Sequence, residues 1–146
     1  MARVPRYEQP EYAVFHVTAR GAGRLPIYRD RDDRLLFLAL FLDTVERCAW
    51  ITHAFCLMTN HYHLVVESGL TSLSAGLQRV NGVYAQTFNG KYKRWGHLFG
   101  ERFWCRAVDE GDLADTCLYV VANPVRAGLC EGITDWPWSA CRYELG

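Results

Sequence analysis

Segments rich in β-branched and aromatic residues and segments of helical period follow one another in one order along this chain. That order restricts the available folds more than any single motif does. Tyr12 to Ala19 is β-branched and aromatic, stops at Gly21-Ala22-Gly23, and predicts a strand. Asp30 to Cys48 carries acids in its first turn and lacks Gly and Pro, which predicts a helix of about five turns. Ile51 to Met58 and His61 to Glu67 predict two further strands, joined tightly at Thr59-Asn60 as a hairpin. Thr71 to Phe88 places Leu73, Leu77, Val80, Val83, Tyr84 and Phe88 at helical spacing and ends at Asn89-Gly90. Phe103 to Val108 predicts a fourth strand, and Asp112 to Ala122 a helix stopped by Pro124. A short helix is expected within Asp135 to Tyr143.

Strand, helix, strand, strand, helix, strand and a final helix make the α+β, ferredoxin-like (split β-α-β) pattern. It consists of one antiparallel sheet with helices packed on one face, and the other face open to a ligand. No repeat or linker interrupts residues 1–146, so one domain is expected. With 50% hydrophobic, 14% aromatic and only 22% charged residues, disorder is excluded for the chain as a whole. The longest apolar run, Leu35 to Leu42, is far below the roughly 20 residues that cross a bilayer. That run is apolar around its circumference, so either a homodimer contact or the C-terminal tail is expected to cover it. The first residues lack the apolar stretch of a signal peptide, and a cytoplasmic protein is expected. None of the six cysteines forms a Cys-x-x-Cys pair, which predicts free, buried thiols.

Sixteen basic and sixteen acidic side chains leave no net charge, against a protein whose role is to coat nucleic acid. The balance is uneven. Arg79, Lys91, Lys93, Arg94, Arg102 and Arg106 stand against a single acid, Glu101, between residues 79 and 106. Such a segment reads either as a solvated face or as a local anion-binding surface.

Two motifs can carry chemistry. His61 and His63 are i, i+2 on the third strand, so both imidazoles project from one face, roughly 6 to 7 Å apart at Cα and able to share one metal ion. Tyr62 and Leu64 then face the helices. Two histidines on a solvated sheet face are the plainer alternative. Tyr119 and Asn123 are i, i+4 and share a helix face. Without context a tyrosine there is a core residue with a wet hydroxyl, and an asparagine before proline a backbone cap. His16 and His53 lie on neighbouring strands, either as partners of such ligands or as ordinary histidines.

With these stretches in view, the chain resembles a known family. Asn60-His61-Tyr62-His63-Leu64-Val65-Val66 resembles the His-hydrophobe-His motif of HUH single-strand endonucleases. Three more stretches carry a likeness to the single-tyrosine transposases of small insertion sequences and to REP-associated tyrosine transposases. They are Gly96-His97-Leu98-Phe99-Gly100-Glu101-Arg102-Phe103, Tyr119 through Asn123-Pro124-Val125-Arg126-Ala127-Gly128, and Asp135-Trp136-Pro137-Trp138-Ser139. The resemblance implies a metal-dependent nuclease and strand transferase acting on single-stranded, hairpin-bearing DNA through a 5′-phosphotyrosine, as a monomer or homodimer. It implies His61, His63 and Asn123 as ligands of Mg²⁺ or Mn²⁺ and Tyr119 as nucleophile, on a C-terminal catalytic helix. Tyr84 is the rival tyrosine, but its spacing with Val80 and Phe88 predicts a core position. Lys91, Lys93, Arg94, Arg102 and Arg106 are the expected DNA-binding cations, with Tyr92, Trp95 and Trp104 as stacking rings. The alternative from another class is a non-catalytic single-stranded nucleic-acid-binding module on the same fold, its sheet stacking bases. A small metal hydrolase using water as nucleophile is a third.

Overall fold

The β-branched and aromatic segments form β1 (Tyr12–Arg20), β2 (Ile51–Leu57), β3 (His61–Gly69) and β4 (Trp104–Val108) in a computed structural model that describes Pro5 and residues 8–143. Met1 to Val4, part of the stretch read for a leader, lie outside the described residues. A fifth strand, β5 (Ser139–Cys141), completes a sheet of order β4-β1-β3-β2-β5 in which every pair is antiparallel. β2 and β3 are the expected hairpin, closed by Met58 N–H donating to the His61 carbonyl at 2.9 Å.

α1 (Arg31–Cys48) starts at a reciprocal cap in which Asp30 accepts from the Asp33 amide and Asp33 from the Asp30 amide. α2 (Leu70–Tyr92) lies beside it, and both pack on one face of the sheet. Phe15 and Val17 of β1 and Tyr62, Leu64 and Val66 of β3 meet Phe37 and Phe41 of α1 and Leu73, Leu77, Val80 and Tyr84 of α2. Tyr84 is wholly buried with its hydroxyl on the Ile27 carbonyl, as its spacing predicts.

Three expectations are corrected. α2 runs past Asn89-Gly90 to Tyr92, because Lys91 and Tyr92 are tied to Asp30 and Asp33 at the start of α1, and these bonds outweigh the modest helix cost of Gly90. The tail holds β5 instead of a helix: the free edge of β2 accepts it, the Leu57 amide donating to the Trp138 carbonyl and Pro137 opposing helix just before. The second sheet face is also not open. α3 (Leu113–Val121) crosses it, burying Cys117, Val120 and Val121 against Ala54, Cys56, Met58 and Val65.

The apolar run of α1 is covered only in part. Phe37 and Phe41 enter the core, but Leu42 keeps 55% of its surface. All six cysteines are free thiols, three of them buried. No helix among the described residues is long and apolar enough to cross a membrane.

α1 and α2 approach closely where Gly76 lets the Trp50 ring and Thr44 in. A Cβ at Gly76 would sit 2.5 Å from the Trp50 ring and 2.9 Å from the Thr44 methyl. Gly76→Ala is therefore expected to lower stability by about 1–2 kcal/mol, the overpacking cost exceeding the helix-propensity gain of up to ~1 kcal/mol. Urea denaturation with an unchanged slope checks it.

Candidate active site

Parity along β3 divides its side chains. Tyr62, Leu64 and Val66 point into the main core, so His61, His63 and Val65 point to the face crossed by α3. On β1, Phe15 and Val17 take the core and His16, Thr18 and Arg20 the α3 face. The register sets Thr18 opposite His63 and Arg20 opposite His61, and His16 lies diagonally from His63.

The two expected ligand histidines stand together, ring centroids 5.1 Å apart. The Tyr119 ring lies 6.1 Å from His63 and 6.1 Å from His16. α3 presents Tyr119 because Cys117, Val120 and Val121 turn into the second core, leaving the phenol on the helix flank at 45% exposure.

The tautomers follow from the hydrogen bonds. The Asn60 amide nitrogen donates to the Arg24 carbonyl at 3.0 Å, so its oxygen faces His61 Nδ1, at 2.7 Å. His61 therefore carries its proton on Nδ1 and keeps a lone pair on Nε2. His63 Nδ1 bonds His16 Nε2 at 2.9 Å, leaving His63 Nε2 unengaged among the described residues. Burial holds all three rings neutral: it pushes His16 down to about 4, His61 to about 4 with Arg20 adding to the effect, and His63 to about 2 with His16 and His61 contributing. Two neutral imidazoles with Nδ1 engaged and Nε2 available form a donor set that fits a divalent ion. No cluster of three His, Cys, Asp or Glu side chains is placed for an ion among the described residues, so further ligands fall to an amide, water or substrate oxygen.

Asn123 is not one turn further along α3. The helix ends at Val121, and α4 (Asn123–Arg126) begins with Pro124 in its first turn, where a missing N–H costs nothing. The Asn123 carboxamide approaches the Tyr119 carbonyl at 3.5 Å, and no hydrogen bond joins it to either imidazole. Arg126 does reach the site. Its guanidinium donates to the Tyr119 carbonyl at 2.7 Å and lies over the Tyr119 ring, 4.1 Å from the centroid.

Of the expected DNA-binding cations, Arg106 faces the site, opposite His16 on β4. Lys91 does not: it sits between Asp30 and Asp33 at 2.8 and 2.9 Å, and those hydrogen bonds raise its pKa. Lys93 caps the C-terminus of α2, Arg94 binds the Asn89 side chain, and Arg102 lies in the loop before β4. Arg79 pairs with Asp43 of α1, so acids distant in sequence cancel part of the segment's surplus. Arg20 and Arg126 were missed as site residues, whereas His16, left open between a partner of the ligands and an ordinary histidine, bonds His63. Only His16 had a signal, its place on β1.

The fold and this constellation point to DNA transposases, and the comparisons agree. The family described as Transposase IS200 like matches residues 12–123. A Haemophilus influenzae protein, provisionally named a REP-associated tyrosine transposase, is 28% identical over 122 residues, 75% of this chain and 69% of its own length. The structure of a REP-associated tyrosine transposase bound to a REP hairpin superposes with a TM-score of 0.70 at 18% identity, covering 95% of this chain and 82% of that one. A provisionally assigned transposase from Deinococcus radiodurans R1 follows with 0.54 at 14% identity, over 82% of this chain and 95% of that one. The chain belongs to the IS200-like transposase family.

The depressed imidazoles set a pH dependence. Each binds a proton more readily unfolded, near pH 6.5, than folded. Their contribution is complete above pH 6.5 and is lost as pH falls toward about 4, and further for His63. Metal-free protein is expected to lose up to about 1.4 kcal/mol per pH unit for each imidazole kept neutral. Urea unfolding between pH 7 and 4 checks it, with a shallower slope expected for His63→Gln.

Proposed function

We propose that the chain is a metal-dependent single-stranded DNA endonuclease and strand transferase, working in the cytoplasm on hairpin-bearing DNA through a 5′-phosphotyrosine intermediate. The observation that carries this reading is the convergence of the Tyr119 ring on His63, 6.1 Å away, with the Nε2 atoms of His61 and His63 unengaged among the described residues.

His61 and His63 would hold the ion, Mg²⁺ or Mn²⁺, with the Asn123 Oδ1 as a third ligand while its amide nitrogen approaches the Tyr119 carbonyl. A divalent ion held there supplies Lewis acidity that offsets charge on the phosphate oxygens, worth several kcal/mol. Tyr119 Oη forms a bond to phosphorus as the bond to the 3′ oxygen breaks. The phenolic proton passes to water, water returns one to the 3′ oxygen, and the products are a 5′-phosphotyrosine and a 3′-hydroxyl. Aryl oxide is a good leaving group, so a 3′-hydroxyl can reverse the step and rejoin DNA. Arg126, over the Tyr119 ring, and Arg20, beside His61, place positive charge where the phosphate must sit. Trp95, with 94% of its surface exposed, and Trp104, edge-on to His16, are rings on which unpaired bases can stack. The hairpin bound by the structurally similar transposase supports the same substrate class.

With Mn²⁺ or Mg²⁺ and labelled single strands of its neighbouring genomic DNA, the protein is expected to form a covalent adduct on denaturing gels. Tyr119→Phe should bind DNA as before and form none. His61→Gln and His63→Gln should slow adduct formation about a hundredfold or more, and EDTA should abolish it. An adduct undiminished in Tyr119→Phe refutes the assignment of the nucleophile.

A further inference from the structure

A groove of about 560 Å³ opens on the other side of β4 from Tyr119, between α2 and the loop Gly96–Phe103. Alternation on β4 separates the two sides, with Cys105 in the main core and Trp104 and Arg106 on the catalytic face. Amides dominate the α2 wall. Gln78, Gly82 and Gln86 are i, i+4 and i+8, one row along the helix, so Gly82 leaves a gap with a carboxamide at each end. Neither glutamine is engaged by another group among the described residues. Beside the gap, Asn81 accepts from the Tyr62 hydroxyl through Oδ1 at 2.8 Å, which fixes its carboxamide and leaves its NH₂ group for the groove. Phe99, half-buried and edge-on to Tyr62, supplies a ring to the opposite wall.

Gly82 is the informative residue. Glycine weakens a helix interior relative to alanine, and packing does not demand it here, since a Cβ would meet nothing within 4 Å. Gly76, six residues earlier, is the contrast, with no room for a methyl. What a side chain at Gly82 would remove is the gap between the two glutamines. Arg102 and Glu101 both line the rim, so the groove offers no surplus charge for an anion. One fixed carboxamide, two unengaged ones, an aromatic wall and a flat gap suit a planar ring with a hydrogen-bonding edge.

We propose that this groove is a base-reading subsite: it takes an unpaired nucleobase of the DNA strand, seated over Gly82 between Gln78 and Gln86. The proposal rests on the single-stranded DNA reading above and assigns sequence preference to a surface remote from the chemistry.

The test selects a pool of single strands with a randomised segment on the full chain and sequences what is bound. Wild-type protein is expected to enrich a particular base at one position or more by about tenfold. Gly82→Leu, and Gln78→Ala with Gln86→Ala, are expected to flatten that preference while adduct formation on the unselected pool stays as in wild type. Gly82→Ala should raise the thermal midpoint by about 2–4 °C, so loss of preference in the bulkier variant does not reflect a damaged helix. Undiminished preference in Gly82→Leu, or no preference in wild type, overturns the subsite and leaves the nuclease reading standing. Failure of wild type to bind any single strand removes both.

Discussion

The antiparallel pairing of β1 with β3 at the centre of the sheet is the constraint on which the rest depends. It fixes which residues of each strand face the helices, and a slip of one residue would exchange the two sets. Tyr62, Leu64 and Val66 would leave the core, and His61 and His63 would be buried against α1 and α2. The wholly buried Phe15, Val17, Tyr62 and Leu64 hold the register, so the site is positioned by hydrophobic packing on the opposite face. The same register sets His16 diagonally across from His63, close enough for the 2.9 Å bond that commits His63 Nδ1.

The site needs a second layer, and small residues on β2 make room for it. Ala54 and Cys56 let α3 lie close to the sheet, where Cys117, Val120 and Val121 fill the space. Tyr119 then follows from helical geometry, one position before Val120 and two after Cys117, at the margin between second core and solvent. A turn at Ala122 separates α3 from α4, and Arg126 of α4 lies over the Tyr119 ring. Proline in the first turn of α4 sits where a helix start leaves its N–H position unpaired.

Much of this was legible in the sequence because the signals were local and periodic. The strand spacing of His61 and His63, the acids in the first turn of α1 and the helical spacing through Tyr84 each report on neighbours within a few residues. The tail was misread because three residues pairing with a sheet edge carry no period of their own; the edge of β2 decides their conformation. The end of α2 was misread for a similar reason, since the bonds that hold Lys91 and Tyr92 come from residues some sixty positions earlier. Arg20 carries no motif, Arg126 lies in a motif stretch without a role read from it, and only the fold brings both to the histidines.

Charge shows the same dependence on folding. The surplus between Arg79 and Arg106 shrinks once Asp43 meets Arg79 and Asp30 and Asp33 meet Lys91, so a neutral chain spends part of its cations on fastening α1 to α2. Around Tyr119 the arrangement becomes polar. The groove beside it is lined by Arg106 near His16 and by Asp109, Asp112 and Asp115 on the approach to α3, while Arg20 and Arg126 lie toward the histidines. A polyanion nearing the phenol meets carboxylates on one flank and guanidinium groups on the other. Within about a Debye length of the surface, such a separation of charge favours the proposed approach of a DNA backbone to His61 and His63. A protein without net charge can in this way direct a strand of DNA, because what orients the strand is the local separation of charge across the site.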